Sequence, residues 1–410
     1  MSKIDELIAE LCPDGVEYKA IKDVALIRGG HTPSKAKREN YEGGTIPWIT
    51  SKDVKKADLW GSGICITEAG AKSLNLYPVG TIVVVVRSGI LKRYLPVAQL
   101  RVPATVNQDI KAVNPKDSSL SSRFLYYCIH ANARRLLDIG HRAGGTVDSV
   151  PMKAFESMEI PVPPMEIQQE IVRILDSFAE LEAELEAELE ARRAQYAYYR
   201  DKLLDFTERE SVSWLKLGDI CLIQRGASPR PIRRYITDEF DGIPWIKIGD
   251  VDPNGKYIVR TKEKITEDGA HHSRFLKAGA FVLSNSMSFG RPYILRIDGC
   301  IHDGWLSLCD FENSYLPDFL FHLIRSSYVQ QYWLGKVNTG SVSNLNADIV
   351  KETPVPVPPL SEQRHIVDIL DRFEAFTTSL SDGLPAEIEA RRQQYEHYRD
   401  KLLDFPRKVA

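Results

Sequence analysis

Apolar residues recur at helical spacing along a stretch that begins after Pro164. Successive members are four, three, four, three, four and four positions apart: Ile167, Ile171, Ile174, Phe178, Leu181, Leu185 and Leu189. This spacing predicts a coiled-coil seam with one four-residue stutter. Tyr196, Tyr199 and Leu203 resume the stripe, so a helix of about 40 residues, roughly 60 Å if straight, is predicted from Pro164 to Asp205. A helix of that length needs a partner helix to cover its seam.

The same pattern occurs a second time near the end of the chain. Residues 161–206 and 356–405 both open with PVPP and close with QYxxYRDKLLDF, and residues 190–206 share 14 of 17 positions with residues 389–405. The second stretch contains Asp382, Gly383, Leu384 and Pro385 in sequence, which predicts a break or kink in its helix. The first stretch instead carries the tandem AELEAELEAELEA at 179–191.

Short β-branched runs bounded by Gly and Pro dominate the segments between the two helical stretches. TIPWIT (45–50) and TIVVVVRS (81–88) are predicted strands, and the second should be central because it is apolar on both faces. Residues 122–137 have helical periodicity. Residues 243–251, 278–284 and 315–326 repeat these landmarks at an offset of 195–198 positions. The chain is therefore predicted to contain a duplicated domain whose loops differ between copies.

These patterns predict an α+β fold in which two duplicated α/β domains are joined by two long antiparallel coiled-coil helices. The predicted segments are an N-terminal helical segment (1–16), a first domain (17–160), a first helical spacer (161–210), a second domain (211–355) and a second helical spacer (356–410). A chain of 410 residues is long enough for two such domains.

The overall charge of −3 conceals a strong segregation along the chain. Residues 17–160 hold 21 basic and 13 acidic residues (+8), residues 161–190 hold one and nine (−8), and residues 211–355 hold 17 and 16 (+1). A polyanionic partner therefore suits the first domain and does not suit the acidic helix. A solvated basic face is the other interpretation of the +8.

Other sequence features predict a cytoplasmic protein without a membrane span. No apolar run reaches the roughly 18 residues that a span needs, and the acidic N-terminus does not resemble a secretory signal. The six cysteines are scattered, without a CxxC pair or a histidine at ligand spacing. Reduced cysteines are therefore expected, and a metal site is not.

Motifs that would indicate catalysis are missing from the sequence. It contains no GxxxxGK[ST], GxSxG, HExxH or GxGxxG, and no Asn/Asp-Pro-Pro-aromatic loop of an amino-methyltransferase. The adjacent His271 and His272 are expected at the surface, and the glutamates of 180–190 are expected to form a solvated helix face. We therefore predict no catalytic residue, cofactor or metal.

Basic and amide side chains instead cluster in loops beside glycine and small polar residues, in both copies. Arg, Lys, Asn and Gln read base edges in the major groove, and small residues let the backbone approach phosphate. The candidate DNA-binding residues of the first copy are Arg28, His31, Thr32, Lys35, Lys37, Lys52, Arg87, Lys92, Arg93, Gln108, Arg142, Gly144, Gly145 and Thr146. Those of the second copy are Arg225, Arg230, Arg233, Arg234, Lys247, Asn285, Arg291, His302, Lys336, Asn338 and Thr339.

The tandem helical motifs, the two IPWI blocks and the two glycine-rich loops resemble the specificity subunits of type I restriction–modification enzymes. The resemblance covers nearly the whole chain. It implies two target recognition domains, each reading one half of a bipartite target in double-stranded DNA, and no catalysis by the subunit itself. It also implies that two methyltransferase subunits dock on the helices and that restriction subunits join them. The candidate docking residues are Tyr196, Tyr199, Arg200, Leu203, Tyr395, Tyr398, Arg399 and Leu402.

Two alternatives remain open at the level of sequence. A fused enzyme, such as a methyltransferase with its own reading domain, would bind S-adenosylmethionine. A pure assembly protein would carry basic loops that are incidental. Salt-dependent DNA binding that is lost when Arg142 or Arg225 is changed to Ala would distinguish DNA recognition from assembly alone.

Overall fold

A computed structural model describes residues 3–140, 148–252, 255–285, 289–337, 345–378 and 383–408. The chain divides into two compact units: unit 1 comprises Met1–Ala183 with Ala390–Ala410, and unit 2 comprises Glu184–Glu389. Each unit thus combines one predicted globular segment with parts of both predicted helical segments.

The helices of the globular part of unit 1 are α1 (Lys3–Leu11), α2 (Ile21–Val24), α3 (Glu68–Ala71), α4 (Ser122–Ala131), α5 (Ala133–Gly140) and α6 (Met152–Glu156). Its strands are β1 (Tyr18–Ala20), β2 (Ala25–Gly29), β3 (Ile46–Ile49), β4 (Asp58–Leu59), β5 (Cys65–Ile66), β6 (Ile82–Val85), β7 (Arg87–Ser88), β8 (Val97–Leu100), β9 (Thr105–Val106), β10 (Ile110–Pro115), β11 (Asp148–Ser149) and β12 (Glu159–Pro161). Short 3-10 helices span Arg38–Asn40 and Gly89–Lys92.

A long helix, α7 (Met165–Leu203), leads from unit 1 into unit 2. Unit 2 then contains β13 (Ser213–Lys216), α8 (Leu217–Ile220), β14 (Leu222–Arg225), β15 (Ile236–Thr237), β16 (Ile243–Ile246), β17 (Tyr257–Ile258), β18 (Glu263–Ile265), α9 (Glu267–His271), β19 (Arg274–Leu276), β20 (Phe281–Ser284), β21 (Pro292–Leu295), β22 (Gly299–Ile301), β23 (Trp305–Cys309), α10 (Pro317–Ile324), α11 (Ser327–Lys336), α12 (Ala347–Lys351) and β24 (Pro354–Val357). Its 3-10 helices span Ile232–Arg234 and Ile248–Asp250, and α13 (Leu360–Thr378) and α14 (Leu384–Leu403) end the chain.

The main sheets of the two units have the same strand plan, which confirms the duplication. The order is β2-β10-β6-β8-β4 in unit 1 and β14-β23-β20-β21-β17 in unit 2. The sheet β5-β3-β9 corresponds to the middle of the larger sheet β15-β18-β16-β22-β19. Strand β6 is central and every residue in it is buried, as predicted from its continuous apolar run.

Each unit buries its main sheet against helices from its own domain and from both spacers. In unit 1 the core joins β6 and α4 to Ile167, Ile171 and Leu175 of α7 and to Leu403 and Phe405 from the end of the chain. In unit 2 the equivalent core takes Tyr196 from α7, Leu204 and Phe206 from the segment directly after it, and Ile366 and Leu370 from α13.

The helical predictions hold, with two corrections. Helix α7 covers the predicted length, but Leu181 on the predicted seam is 46% exposed, whereas Leu175, outside that seam, is fully buried. Steps of four from Ile167 to Ile171 to Leu175 place these side chains on the face of α7 that packs on the core of unit 1. The helix predicted over 122–137 is two helices, because the Asn132 side chain donates to the Cys128 carbonyl (2.9 Å) where α4 ends.

In the second helical spacer the structure describes α13 up to Thr378 and α14 from Leu384, and Gly383 directly before α14 is not helical, which agrees with the predicted break. In unit 1, Phe178 of α7 stacks on Tyr398 of α14 (5.5 Å between ring centroids), and Glu182 pairs with Arg392 (2.6 Å). Residue numbers rise along one helix as they fall along the other, so the pairing is antiparallel. None of the helices in the described part of the chain is long and apolar enough to cross a membrane.

Candidate nucleic-acid interface

One end of the main sheet of unit 1 carries a turn at residues 107–109. The turn precedes β10, and the Asp109 carbonyl accepts a hydrogen bond from the Val86 amide (2.8 Å) just beyond β6. Gly30 follows β2 and lies against the backbone of this turn, where a Cβ atom would overlap the Val106 and Asn107 carbonyl oxygens. Only glycine permits the chain after β2 to approach so closely.

This close approach brings three of the predicted DNA-binding residues together. The Thr32 hydroxyl is hydrogen-bonded to the Gln108 side chain, and the His31 amide donates to the Val106 carbonyl (3.2 Å). The indole N–H of the buried Trp48 donates to the His31 carbonyl (3.1 Å), and this hydrogen bond ties the loop to the core. His31, Thr32 and Gln108 are therefore exposed side chains on a rigid base.

Further candidates flank the same end of the sheet. Arg28 lies near the end of β2, and Arg87 lies in β7, which pairs with β11. Lys92 and Arg93 follow in and after the Gly89–Lys92 turn. Lys35, Lys37 and Lys52 are exposed and form no hydrogen bond or ion pair with the 107–109 turn in the described residues. Arg142, Gly144, Gly145 and Thr146 lie outside the described residues.

Unit 2 has the equivalent turn at residues 302–304, between β22 and β23. Gly226 approaches it as Gly30 approaches its own turn, and a Cβ there would overlap the His302 carbonyl oxygen. Arg225 Nε and Asn285 Nδ2 each donate to the Asp303 carbonyl (2.9 Å for both). Arg230 lies 3.6 Å from the Asp303 carboxylate. The structure therefore brings Arg225, Arg230 and Asn285 together around one turn.

His302, which the sequence suggested as a DNA contact, is a scaffold residue instead. Its ring lies between the rings of Trp245 and Trp305, with centroids 6.3 and 6.2 Å away. Its nitrogens face the backbone N–H groups of Ile248 (3.1 Å) and Gly304 (2.7 Å). Burial lowers the pKa of His302, which favours the neutral ring. The side chain supports the turn and is not free to read a base.

The remaining candidates of unit 2 are dispersed. Lys247 is engaged in an ion pair with Glu263 (2.6 Å), and Lys336 ends α11 with its amine over the Tyr332 ring. Arg233 and Arg234 are exposed in the Ile232–Arg234 turn, and Arg291 is half-buried at the start of β21. Asn338 and Thr339 lie outside the described residues.

Comparisons with known proteins show the family to which the two halves of the chain belong. The family model described as the type I restriction modification DNA specificity domain matches residues 13–191 and again residues 210–390. The chain belongs to this specificity family. Both matches are to the specificity domain, and together they cover most of the chain.

Several members of the specificity family resemble this chain along most of its length. The EcoR124I/EcoR124II specificity subunit of Escherichia coli is 42% identical over 305 residues, covering 71% of this chain and 72% of that protein. A putative type I restriction enzyme specificity subunit of Haemophilus influenzae is 28% identical over 414 residues, covering 95% and 96%. The fold also matches a chain from a solved structure on complex assembly and conformational transition of the type I R-M system, with a TM-score of 0.67, 14% identity and coverage of 95% and 98%.

Only some of the predicted docking residues of this specificity-family chain are exposed enough to contact a partner subunit. Tyr196 donates or accepts a hydrogen bond at His322 Nδ1 (2.9 Å), and Arg200 and Arg399 are each 9% exposed and pair with the aspartate that follows them. These three side chains are buried within their own units, and their assignment to docking stays a prediction. Tyr199 and Tyr398 remain exposed at 38% and 39%, and Leu203, Tyr395 and Leu402 are half-buried.

Two aspartates on the spacers, which sequence reasoning missed, anchor the domains of this family member. Asp176 of α7 accepts hydrogen bonds from Tyr127 (2.5 Å) and Arg123 (2.8 Å) of α4. Asp371 of α13 sits at the equivalent position, 195 residues later, and is bonded to His322 (2.8 Å) of α10 and to Lys256 (3.1 Å). The repeat offset of 195 was the signal that could have identified this pair.

Neighbouring side chains of the same unit compensate the negative charge of the Asp371 carboxylate. Burial would raise the pKa of Asp371, but the His322 hydrogen bond and the Lys256 charge outweigh it and hold that pKa below its usual value. His322, Asp371 and Glu374 lie within 4.8 Å of one another, a spacing that could hold a metal ion. Lys256 and Arg325 already pair with the two carboxylates, so the cluster fits a structural anchor better than a metal site.

Proposed function

We propose that the chain is the non-catalytic DNA-recognition subunit of a type I restriction–modification enzyme, in which each duplicated domain reads one half of a bipartite target. We place the reading domains at residues 17–160 and 211–355. The observation that carries the proposal is the pair of equivalent turns, at 107–109 and 302–304, built on one scaffold but presenting different side chains. Gln108 with Thr32 in one, and Arg225 with Arg230 in the other, offer donors and acceptors that read base edges, whereas Asn285 is buried and supports the second turn.

The helical spacers set the distance between half-sites and receive the partner subunits. The relatives are named as specificity subunits of type I restriction enzymes, and catalysis in our proposal comes from two methyltransferase subunits and from restriction subunits. The exposed tyrosines Tyr199 and Tyr398 are the proposed docking contacts of the helices. Because the target is the cell's own DNA, the proposed location is the cytoplasm.

The test is to sequence modified adenines in cells that carry this chain with its methyltransferase subunits. We expect one bipartite motif, and we expect Gln108→Ala to relax one half of it while Arg225→Ala relaxes the other. A motif that survives both substitutions unchanged would show that these turns do not read DNA. A complex that assembles but modifies no defined sequence would favour the pure assembly protein.

A further inference from the structure

A groove in unit 1, distinct from the 107–109 turn, opens beside the candidate interface. It has a volume of about 1310 Å³ and lies between the 3-10 turn Gly89–Lys92 with the residues after it, helix α5, and the part of α14 around Glu396. Leu91 and Leu95 are buried in its floor. All its walls belong to unit 1.

Three exposed arginines line this groove without an ion-pair partner among the described residues. Arg93, Arg134 and Arg135 are exposed and form no ion pair within the described residues. Its lining holds five basic side chains against Asp138, Glu396 and Asp400, and Asp400 is already paired with Arg399 (2.7 Å). A concave surface with unpaired guanidinium groups attracts an anionic partner.

Contacts between neighbouring elements link the groove to the candidate DNA-reading surface. Helix α5 packs against β11, which pairs with β7, and β7 carries Arg87 at the same end of the sheet as the 107–109 turn. Val86, directly before β7, donates its amide hydrogen bond to Asp109 of that turn. A duplex whose bases meet the turn would continue with its backbone along this wall.

At the position in unit 2 that corresponds to this groove, the equivalent side chains are buried or hydrogen-bonded to their own unit. Where α5 carries Arg134 and Arg135, α11 carries Val329, which is buried, and Gln330, which donates to the Ile324 (2.7 Å) and Gly290 (3.3 Å) carbonyls. The nearby cavity is smaller, about 370 Å³, and its Arg325 is paired with Glu374. Among the residues that the structure describes, the basic groove is therefore found in unit 1, and its arginines account for part of the +8 charge of the first domain.

We propose that the groove binds the sugar–phosphate backbone of duplex DNA flanking the half-site of the first domain, through Arg134 and Arg135. This inference rests on the proposed function and extends it from base reading to phosphate binding. The guanidinium group of an exposed arginine can donate two parallel hydrogen bonds to phosphate oxygens. Contacts of this kind position a protein on DNA without specifying its sequence.

The experiment compares three assembled complexes, which contain the wild-type chain, the R134Q/R135Q variant or the control variant K22Q/K116Q. Lys22 and Lys116 lie at the end of the same sheet where β10 ends. Binding to a duplex that carries the modified motif is measured across salt concentrations. On a plot of the logarithm of the binding constant against the logarithm of the salt concentration, each lost phosphate contact lowers the steepness of the slope by about 0.9. R134Q/R135Q should lower the slope by about 2 and weaken binding several-fold or more, with the modified motif unchanged, and the control should match the wild type.

An unchanged salt slope in R134Q/R135Q would overturn the proposal. Reduced subunit assembly with an unchanged slope would overturn it in favour of a protein partner in the groove. In both cases the wild-type complex would still prefer its motif, so the proposed function would stand. A wild-type complex that does not prefer its motif over random duplex would overturn both.

Discussion

At the scale of single residues, the two turns depend on glycines that allow close approach of the backbone. Gly30 and Gly226 occupy equivalent positions, and each lies where any side chain would overlap a carbonyl oxygen of its own turn. The residues that read DNA in our proposal are exposed and differ between the two copies, whereas the glycines that position them lie against backbone atoms of the turns. Their effect on recognition is therefore indirect.

Gly226→Ala tests this positioning role. The added Cβ must displace the 302–304 turn, at a cost of about 1–3 kcal/mol, because the overlapping atoms are backbone. We expect recognition of the second half-site to weaken about tenfold or more in binding assays with the assembled complex. Gly249→Ala is the matched control, since nothing lies within 4 Å of its Cβ. Equal affinity of the two variants would contradict the assigned role.

His130 makes the stability of unit 1 dependent on pH. Burial, assisted by the charge of Arg399, lowers the pKa of His130 to about 4, and Arg399 donates a hydrogen bond to its neutral ring (3.2 Å). The ordinary value is 6.5, so the folded state binds fewer protons than the unfolded state between these values. Stability is full above pH 6.5 and is lost as the pH falls toward 4, by at most about 3 kcal/mol.

Thermal unfolding of the wild type and of His130→Asn across this pH range provides the measurement. Asparagine keeps an acceptor near the Nδ1 position but does not titrate. The variant should be less stable at pH 7 because packing is lost, and its unfolding temperature should vary less between pH 6.5 and 4. Parallel curves for the two proteins would assign the acid sensitivity to other groups.

At the scale of elements, sequence periodicity was informative where one face of a segment is buried. The long helix, the central strand Ile82–Val85 and the helix break near Pro385 followed from apolar spacing and from proline and glycine. The interruption at Asn132 did not, because a side-chain hydrogen bond to the preceding turn leaves the apolar spacing unchanged. Leu175 was missed because α7 packs there on a globular core.

The sequence predicted which residues belong to the candidate site, but not how the fold brings them together. Arg225, Arg230 and Asn285 are distant in sequence, and only the fold gathers them at Asp303. His302 has the same chemistry as a reader, and its place between two tryptophans depends on contacts across the sheet. Burial of Arg200 and Arg399 was likewise hidden, because a charged residue on a helix is ordinarily solvated.

The AELE tandem of α7 supports a prediction about target spacing. Insertion of one further AELE unit in 179–191 adds about 6 Å of helix, comparable to one or two base pairs of about 3.4 Å. Sequencing of modified adenines should show a longer unspecified gap and unchanged half-sites. The same four residues placed after Glu239, in an exposed loop, should leave the gap unchanged. If the gap stays constant in the helix variant, α7 does not set the spacing.

At the scale of the whole molecule, the two nearly identical helix ends serve different units. The sequence DKLLDF occurs at 201–206 and 400–405, ending in Phe206 and Phe405. Phe206 belongs to the core of unit 2, and Phe405 belongs to the core of unit 1, where the chain ends beside its beginning. There the Lys408 amide donates to the Val16 carbonyl (3.0 Å), and Tyr18 donates to the Phe405 carbonyl (3.0 Å). The end of the chain thus completes the unit formed by its beginning.

Matched substitutions of these two phenylalanines test the division of the chain. Both side chains are buried, with exposed fractions of 0% for Phe206 and 6% for Phe405, and loss of a buried phenylalanine costs about 3–5 kcal/mol. Amide hydrogen exchange should show lost protection in β6 and β10 for Phe405→Ala, and in β20 and β23 for Phe206→Ala. Each variant is the control for the other, because both change the same residue in the same local sequence. Loss of protection in the same strands for both variants would contradict the assignment of the C-terminal segment to unit 1.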